Sequence, residues 1–158
     1  MSILLVMALA LLIGVVCGLR SFTGPALVCW GAHLGWLNLA GSRLSFLAHV
    51  ASLVVLSLFA VAELVADKLP KIPRRTSAGP LIWRILMGGL CAAAIGIAGN
   101  GPFVTCCIFG GVGGFIGAFA GYGARHVATA AGTLRDFPVA IIEDLIAIGG
   151  GLFLVTRL

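Results

Sequence analysis

The chain has 158 residues, of which 61% are hydrophobic and only 9% charged, and its net charge is +5. A soluble domain of this size needs about 25% charged residues to face water, so lipid must be the main solvent, and at roughly 20 residues per crossing there is room for about six helices and no large soluble catalytic domain. The basic residues lie between apolar segments rather than in a basic and aromatic stripe, which excludes a nucleic-acid surface and points to topology and anionic head groups.

The first apolar segment, Ser2 to Leu19, has no basic residue before it and no small-x-small cleavage site before Arg20, so it reads as a retained helix. Segment two, Phe22 to Asn38, is broken by Gly24, Pro25, Gly31 and Gly35. It is expected to be a crossing, with a broken or re-entrant piece as the alternative. Segment three runs from Leu44 to Ala66, and a polar loop with Pro70, Pro73 and Pro80 follows. Segment four covers Leu81 to Ala98, and Gly99-Asn100-Gly101-Pro102 marks a turn. Segment five covers Phe103 to Gly123. A second polar connection, with Arg125, His126, Arg135 and Asp136, leads to segment six, Pro138 to Val155. The expectation is one polytopic domain over 1–158, an all-α integral membrane protein of about six transmembrane helices. Three plus three crossings would invert the second half on the first, an arrangement found in transporters.

Six crossings with the 68–80 loop in the cytoplasm place Arg20, Lys68, Lys71, Arg74, Arg75, Arg84, Arg125 and Arg135 on that side. Only Arg43 and Arg157 fall outside. Eight against two is a clear positive-inside bias.

The only five carboxylates are Glu63, Asp67, Asp136, Glu143 and Asp144. The same topology sets all five at the cytoplasmic ends of segments three and six. Asp136, Glu143 and Asp144 would suit the N-terminal dipole of segment six. Glu63 and Asp67, four apart on one face, sit at a helix C-terminus and need a compensating cation, for which Arg20, Lys68, Arg84 and Arg125 lie at the right depth. Two readings stay open: an ion-pair network locking helix ends, or a site for a proton, a cation or a polar substrate. Oxygen ligation of a divalent cation by Glu63, Asp67, Glu143 and Asp144 is a lesser alternative, and no metal-binding loop pattern supports it. The break at Arg20-Ser21-Phe22-Thr23-Gly24-Pro25 exposes the N-terminus of segment two, which can hold an anion.

In segment five Gly113, Gly117 and Gly121 repeat every four residues, and Gly110 and Gly114 add a second small-xxx-small pair. This predicts tight helix packing, within one subunit or across a homodimer. Cys17, Cys29, Cys91, Cys106 and Cys107 are odd in number and without a CxxC, and read as packing residues.

The motifs Gly18-Leu19-Arg20-Ser21-Phe22-Thr23-x-Pro25-Ala26, Glu63-Leu64-x-x-Asp67-Lys68-Leu69-Pro70-Lys71, Arg75-Thr76, Gly121-Tyr122-x-x-Arg125 and Pro138-Val139-Ala140-x-x-Glu143-Asp144 span nearly the whole chain. On them the sequence resembles a small bacterial membrane family described as domain of unknown function 4126. The resemblance implies a plasma-membrane protein in which Arg20, Glu63, Asp67, Lys68, Arg125, Glu143 and Asp144 recur as a set. It implies no substrate. The functional expectation is a small transporter or channel-like protein, a homodimer in the lipid bilayer, with those seven residues binding a proton, cation or small polar substrate and no cofactor. The alternatives are an enzyme acting on a lipid or isoprenoid phosphate head group, for which no nucleophile–base pair is visible, and a structural scaffold.

Overall fold

The computed structural model describes residues 1–66, 77–130 and 136–158, side chains excepted at 128–130, 136 and 137. Six α-helices form in chain order: α1 Ile3–Leu19, α2 Thr23–His33, α3 Val50–Ala66, α4 Ala78–Ala98, α5 Phe103–Ala130 and α6 Asp136–Val155, with a short 3-10 turn at Ser45–Ala48 before α3. Among the described residues there is no strand. Three helices, α4, α5 and α6, are long and apolar enough to cross a membrane. The apolar helices α1 and α3 have 17 residues each, about 25 Å at 1.5 Å per residue. Leu4, Leu58, Val104, Val127 and Leu145 are among many large apolar side chains facing outward, the surface expected of helices bathed in hydrocarbon.

Segment two departs from the expected crossing. Its helix, α2, has 11 residues, about 16 Å, against a hydrocarbon thickness of about 30 Å. The chain leaves it through Gly35, whose φ of 81° suits glycine, and continues as a packed loop in which Leu37, Leu39 and Leu47 are buried. Segment three accordingly becomes helical only at Val50. In the other direction, α4 begins at Ala78, and α5 runs on through Arg125 and His126, which are helical rather than part of a connection. The halves therefore differ in dimensions: 17, 11 and 17 residues against 21, 28 and 20.

Helix α1 is the hub. It packs extensively on α4 and α5 on one side and touches α6 and α2 on the other, burying Val6, Ala10, Ile13, Cys17 and Gly18. Glycine makes the approach possible. A Cβ on Gly14 would run into the backbone of Gly110, one on Gly18 into Gly114 and Gly117, and one on Gly88 into the carbonyl oxygen of Gly110 at 2.5 Å. These glycines of α5 are thus consumed inside one chain: Gly110 and Gly114 lie against α4 and also receive Gly14 and Gly18 of α1, while Gly113 and Gly117 lie against α1. The small-xxx-small pattern therefore acts within the subunit. The cysteines serve as packing residues; all five are free, and four are buried.

These contacts also fix direction. The Gly14–Gly110 and Gly18–Gly114 meetings make α1 and α5 parallel, while Gly88 on Gly110 and Gly96 on Cys106 make α4 antiparallel to α5. The Nε1 of Trp30 donates to Ser57 Oγ at 3.2 Å, and with Glu63 beside Ser21 it sets α3 antiparallel to α2. Successive helices therefore alternate, and the C-terminal ends of α1, α3 and α5 gather with the N-terminal parts of α2, α4 and α6.

Candidate functional site: a charged layer at the break between α1 and α2

Helix α1 ends because Arg20 turns extended (φ −139°, ψ 113°), and α2 restarts at Thr23. The break leaves free carbonyls at the end of α1 and free N–H groups at the start of α2. No side chain of the break itself caps α2. Glu63, from α3, does so at a distance of 42 positions in sequence: its Oε1 accepts from the Ser21 N–H at 2.8 Å and its Oε2 from the Phe22 N–H at 2.9 Å. Pro25, in the first turn, has no N–H to satisfy. On the other side of the break Arg84, from α4, donates through Nη1 to the carbonyls of Gly18 at 2.5 Å and Leu19 at 2.7 Å. Its Nη2 lies 3.6 Å from Glu63 Oε1. Each charge thus meets the helix end of opposite dipole sign, the cation at the C-terminus of α1 and the anion at the N-terminus of α2. Phe22 stacks on Phe59 at 5.1 Å and leans on Trp83 at 5.8 Å, so a ring of α3 one turn before Glu63 and a ring of α4 next to Arg84 cover this clip.

The second pair faces the other way. Arg20 is fully buried, and its Nη2 forms an ion pair with Asp144 Oδ1 of α6. Because α6 starts at Asp136, Asp144 stands eight residues in, about 12 Å along the axis. Glu143 and Asp144 are therefore not first-turn acids, and the helix dipole does not account for them. Arg84 is likewise six residues into α4, about 9 Å. The charges lie inside the bundle rather than at its rim. The Thr23 hydroxyl is buried at the same break and has no hydrogen-bond partner among the described residues.

Glu143, nearly buried, lines a cleft of about 280 Å³ between α5 and α6, and Arg125 lines the same cleft. Of the residues singled out from sequence, the structure thus joins Arg20 to Asp144 and sets Glu143 and Arg125 around one cavity. Glu63 it assigns to Arg84 and the α2 backbone. Asp67 and Lys68 lie outside the described residues, as does the side chain of Asp136. No group of three or more potential metal ligands from His, Cys, Asp and Glu occurs among the described residues. Gly121 is buried beside the cleft, while Gly110, Gly113, Gly114 and Gly117 form the packing seam. Two contributors are not among the expected site residues: Arg84, expected only as a counter-charge, and Thr23. The available signal for Arg84 is an arginine well inside an apolar helix.

A model of the family described as domain of unknown function (DUF4126) matches residues 7–157. The chain belongs to that family. The match takes in every member of the charged layer and both walls of the cleft. Neither the curated proteins nor the solved structures contain a match.

Proposed function

We propose that this protein is a small transporter of the plasma membrane whose working group is Asp144, taking up a proton or small cation against the resident counter-charge Arg20. What supports the reading is the burial of an ionised pair about 12 Å inside the end of a membrane-length helix. Removing two charges from water costs several kcal/mol each, and apolar residues of similar volume fasten helices at least as well, so a chain with only five carboxylates has reason to keep this one for exchange. When Asp144 is neutralised by an incoming cation, the layer gains a net charge, which biases the bundle toward another arrangement. Glu143, the next residue, and Arg125 supply the polar wall of the neighbouring cleft. The eight-to-two distribution of basic residues supports a cytoplasmic position for the 68–80 loop.

A second reading, a scaffold whose charges only fasten helices, is favoured by Glu63 and Arg84, since each already hydrogen-bonds two backbone groups. The two readings part in one experiment. Protein reconstituted in liposomes containing a pH dye is given a potassium diffusion potential, with and without external sodium or magnesium. Cation- or proton-dependent flux is expected from the native chain and not from the double variant Arg20→Met/Asp144→Leu, which removes both charges and should stay folded. Flux retained in a folded double variant refutes the proposal, and absence of flux in the native chain leaves the scaffold.

A further inference from the structure

The cleft between α5 and α6 has a shape and a polarity that the charged layer does not explain. The two helices meet at few points, although each packs on α1. Leu19 of α1 closes the back, Ala120 and Ala124 line the α5 side, and Ile142 and Ile146, both about half exposed, form the α6 rim. The gap is therefore open sideways, toward what would be lipid. Along α6 it extends from Val139 to Ile146, seven residues or about 10 Å, and its volume of about 280 Å³ is at the small end of ligand pockets, room for a single hydrocarbon chain rather than two.

Two charged residues line it among the described residues, and they are ordered along that axis. Helix α6 runs antiparallel to α5, since Asp144 pairs with Arg20 while Gly151 meets Val16 and Leu27. Arg125 therefore stands level with Val139, toward the end of the bundle, and Glu143 one turn deeper. A phosphodiester entering from the head-group region meets the guanidinium first. The free glycerol hydroxyl, separated from the phosphorus by the ester oxygen and two carbons, reaches the carboxylate, which accepts its hydrogen bond. The remaining wall is apolar.

We infer that this cleft binds a single-chain phospholipid: a phosphate held by Arg125, a free glycerol hydroxyl donating to Glu143, and one acyl chain laid against Ala120, Ala124 and Ile146. A diacyl lipid has no hydroxyl to offer Glu143 and a second chain with no place in the gap. A fatty acid has the chain and no phosphate. The inference goes beyond the transport reading by adding a lipid ligand beside the cation site, and rests on it only in taking the cleft as a used site.

The test is binding, not flux. Protein in phosphatidylcholine nanodiscs is photolabelled with lysophosphatidylethanolamine carrying a diazirine at the chain terminus, and the labelled peptides are identified by mass spectrometry. Label is expected on α5 and α6, displaced by unlabelled lysophosphatidylethanolamine and not by equal concentrations of palmitic acid or diacyl phosphatidylethanolamine. Arg125→Gln, which removes one charge-assisted contact, should weaken labelling about tenfold. Ala124→Phe, at an exposed position, should fill the gap and abolish it, with Val139→Phe as a second filling variant if the first is unstable. Equal competition by palmitic acid or the diacyl lipid overturns the inference. So does labelling unchanged in Arg125→Gln and in a folded filling variant. Cleft labelling without flux would sink the transport reading alone, and flux without labelling would sink this one alone.

Discussion

Gly114→Ala is the sharpest probe of the packing that carries the charged layer. A Cβ at Gly114 would sit 2.7 Å from the carbonyl oxygen of Arg84 and 3.2 Å from both Arg84 C and Ile85 Cα. All three are backbone atoms, so no side chain can swing aside. Restoring an ordinary 3.4 Å contact requires α4 to retreat by about 0.7 Å, at the residue whose guanidinium holds Gly18 and Leu19. Overpacking of this kind costs about 1–3 kcal/mol. Against it stands the gain of up to about 1 kcal/mol for alanine over glycine within a helix. A Cβ added at Gly123 in the same helix, or at Gly149 in α6, would meet nothing within 4 Å, so alanine there collects only the gain. The expected difference between Gly114→Ala and Gly123→Ala is thus about 1–3 kcal/mol, measured as unfolding midpoints in mixed detergent and SDS. If Gly114→Ala proves as stable as Gly123→Ala, the close approach of α4 and α5 at Arg84 is not as described.

Three further outcomes can be checked. Glu63→Gln leaves Arg84 without its anion and replaces one acceptor by an NH₂ group facing a backbone N–H, so unfolding should become easier by about 3–5 kcal/mol; a loss below about 1 kcal/mol, the range of an exposed pair, would mean the clip is solvated. Thr23→Val removes a buried hydroxyl that lacks a partner among the described residues and should raise the midpoint by about 1–3 kcal/mol, whereas a fall would show that the hydroxyl is hydrogen-bonded in the membrane. In a background free of native cysteines, Ser77→Cys should react with impermeant maleimide only from the cytoplasm and Ser42→Cys only from outside, because alternating helix directions put the start of α4 and the loop after α2 at opposite ends; labelling of both from one side contradicts the topology.

The helices α1, α4, α5 and α6 are legible in the sequence because long apolar runs have few other uses. The glycine spacing of segment five foretells close packing but not its partner, since Gly110 and Gly113 point to α4 and α1 by rotation about the axis, and rotation follows from three-dimensional fit. Segment two is shorter than its composition suggests: Trp36 and Leu37 are apolar enough to extend a helix, yet Gly35 takes a left-handed backbone and ends it. The ionic pairing is half visible. An acid needing a cation and a break needing an anion stand in the sequence as separate problems. That Glu63 answers the break while Arg84 answers Glu63 depends on the lateral position of α3 and α4, which no spacing encodes. Glu143 and Asp144 stand deeper than a helix start at Pro138 implies, because proline is tolerated in a first turn and α6 begins two residues earlier.

The hub position of α1 bears on how the chain is built. Helix α1 precedes in the chain the helices that close around it, and its main partner, α5, begins only at Phe103. Until α5 arrives, the notches at Gly14 and Gly18 stay unfilled, and the guanidinium of Arg20 awaits the Asp144 carboxylate of α6. Biogenesis is therefore a problem of holding an incomplete intermediate in the bilayer, and a chain truncated before α6 should be recognised by quality-control proteases as unfinished.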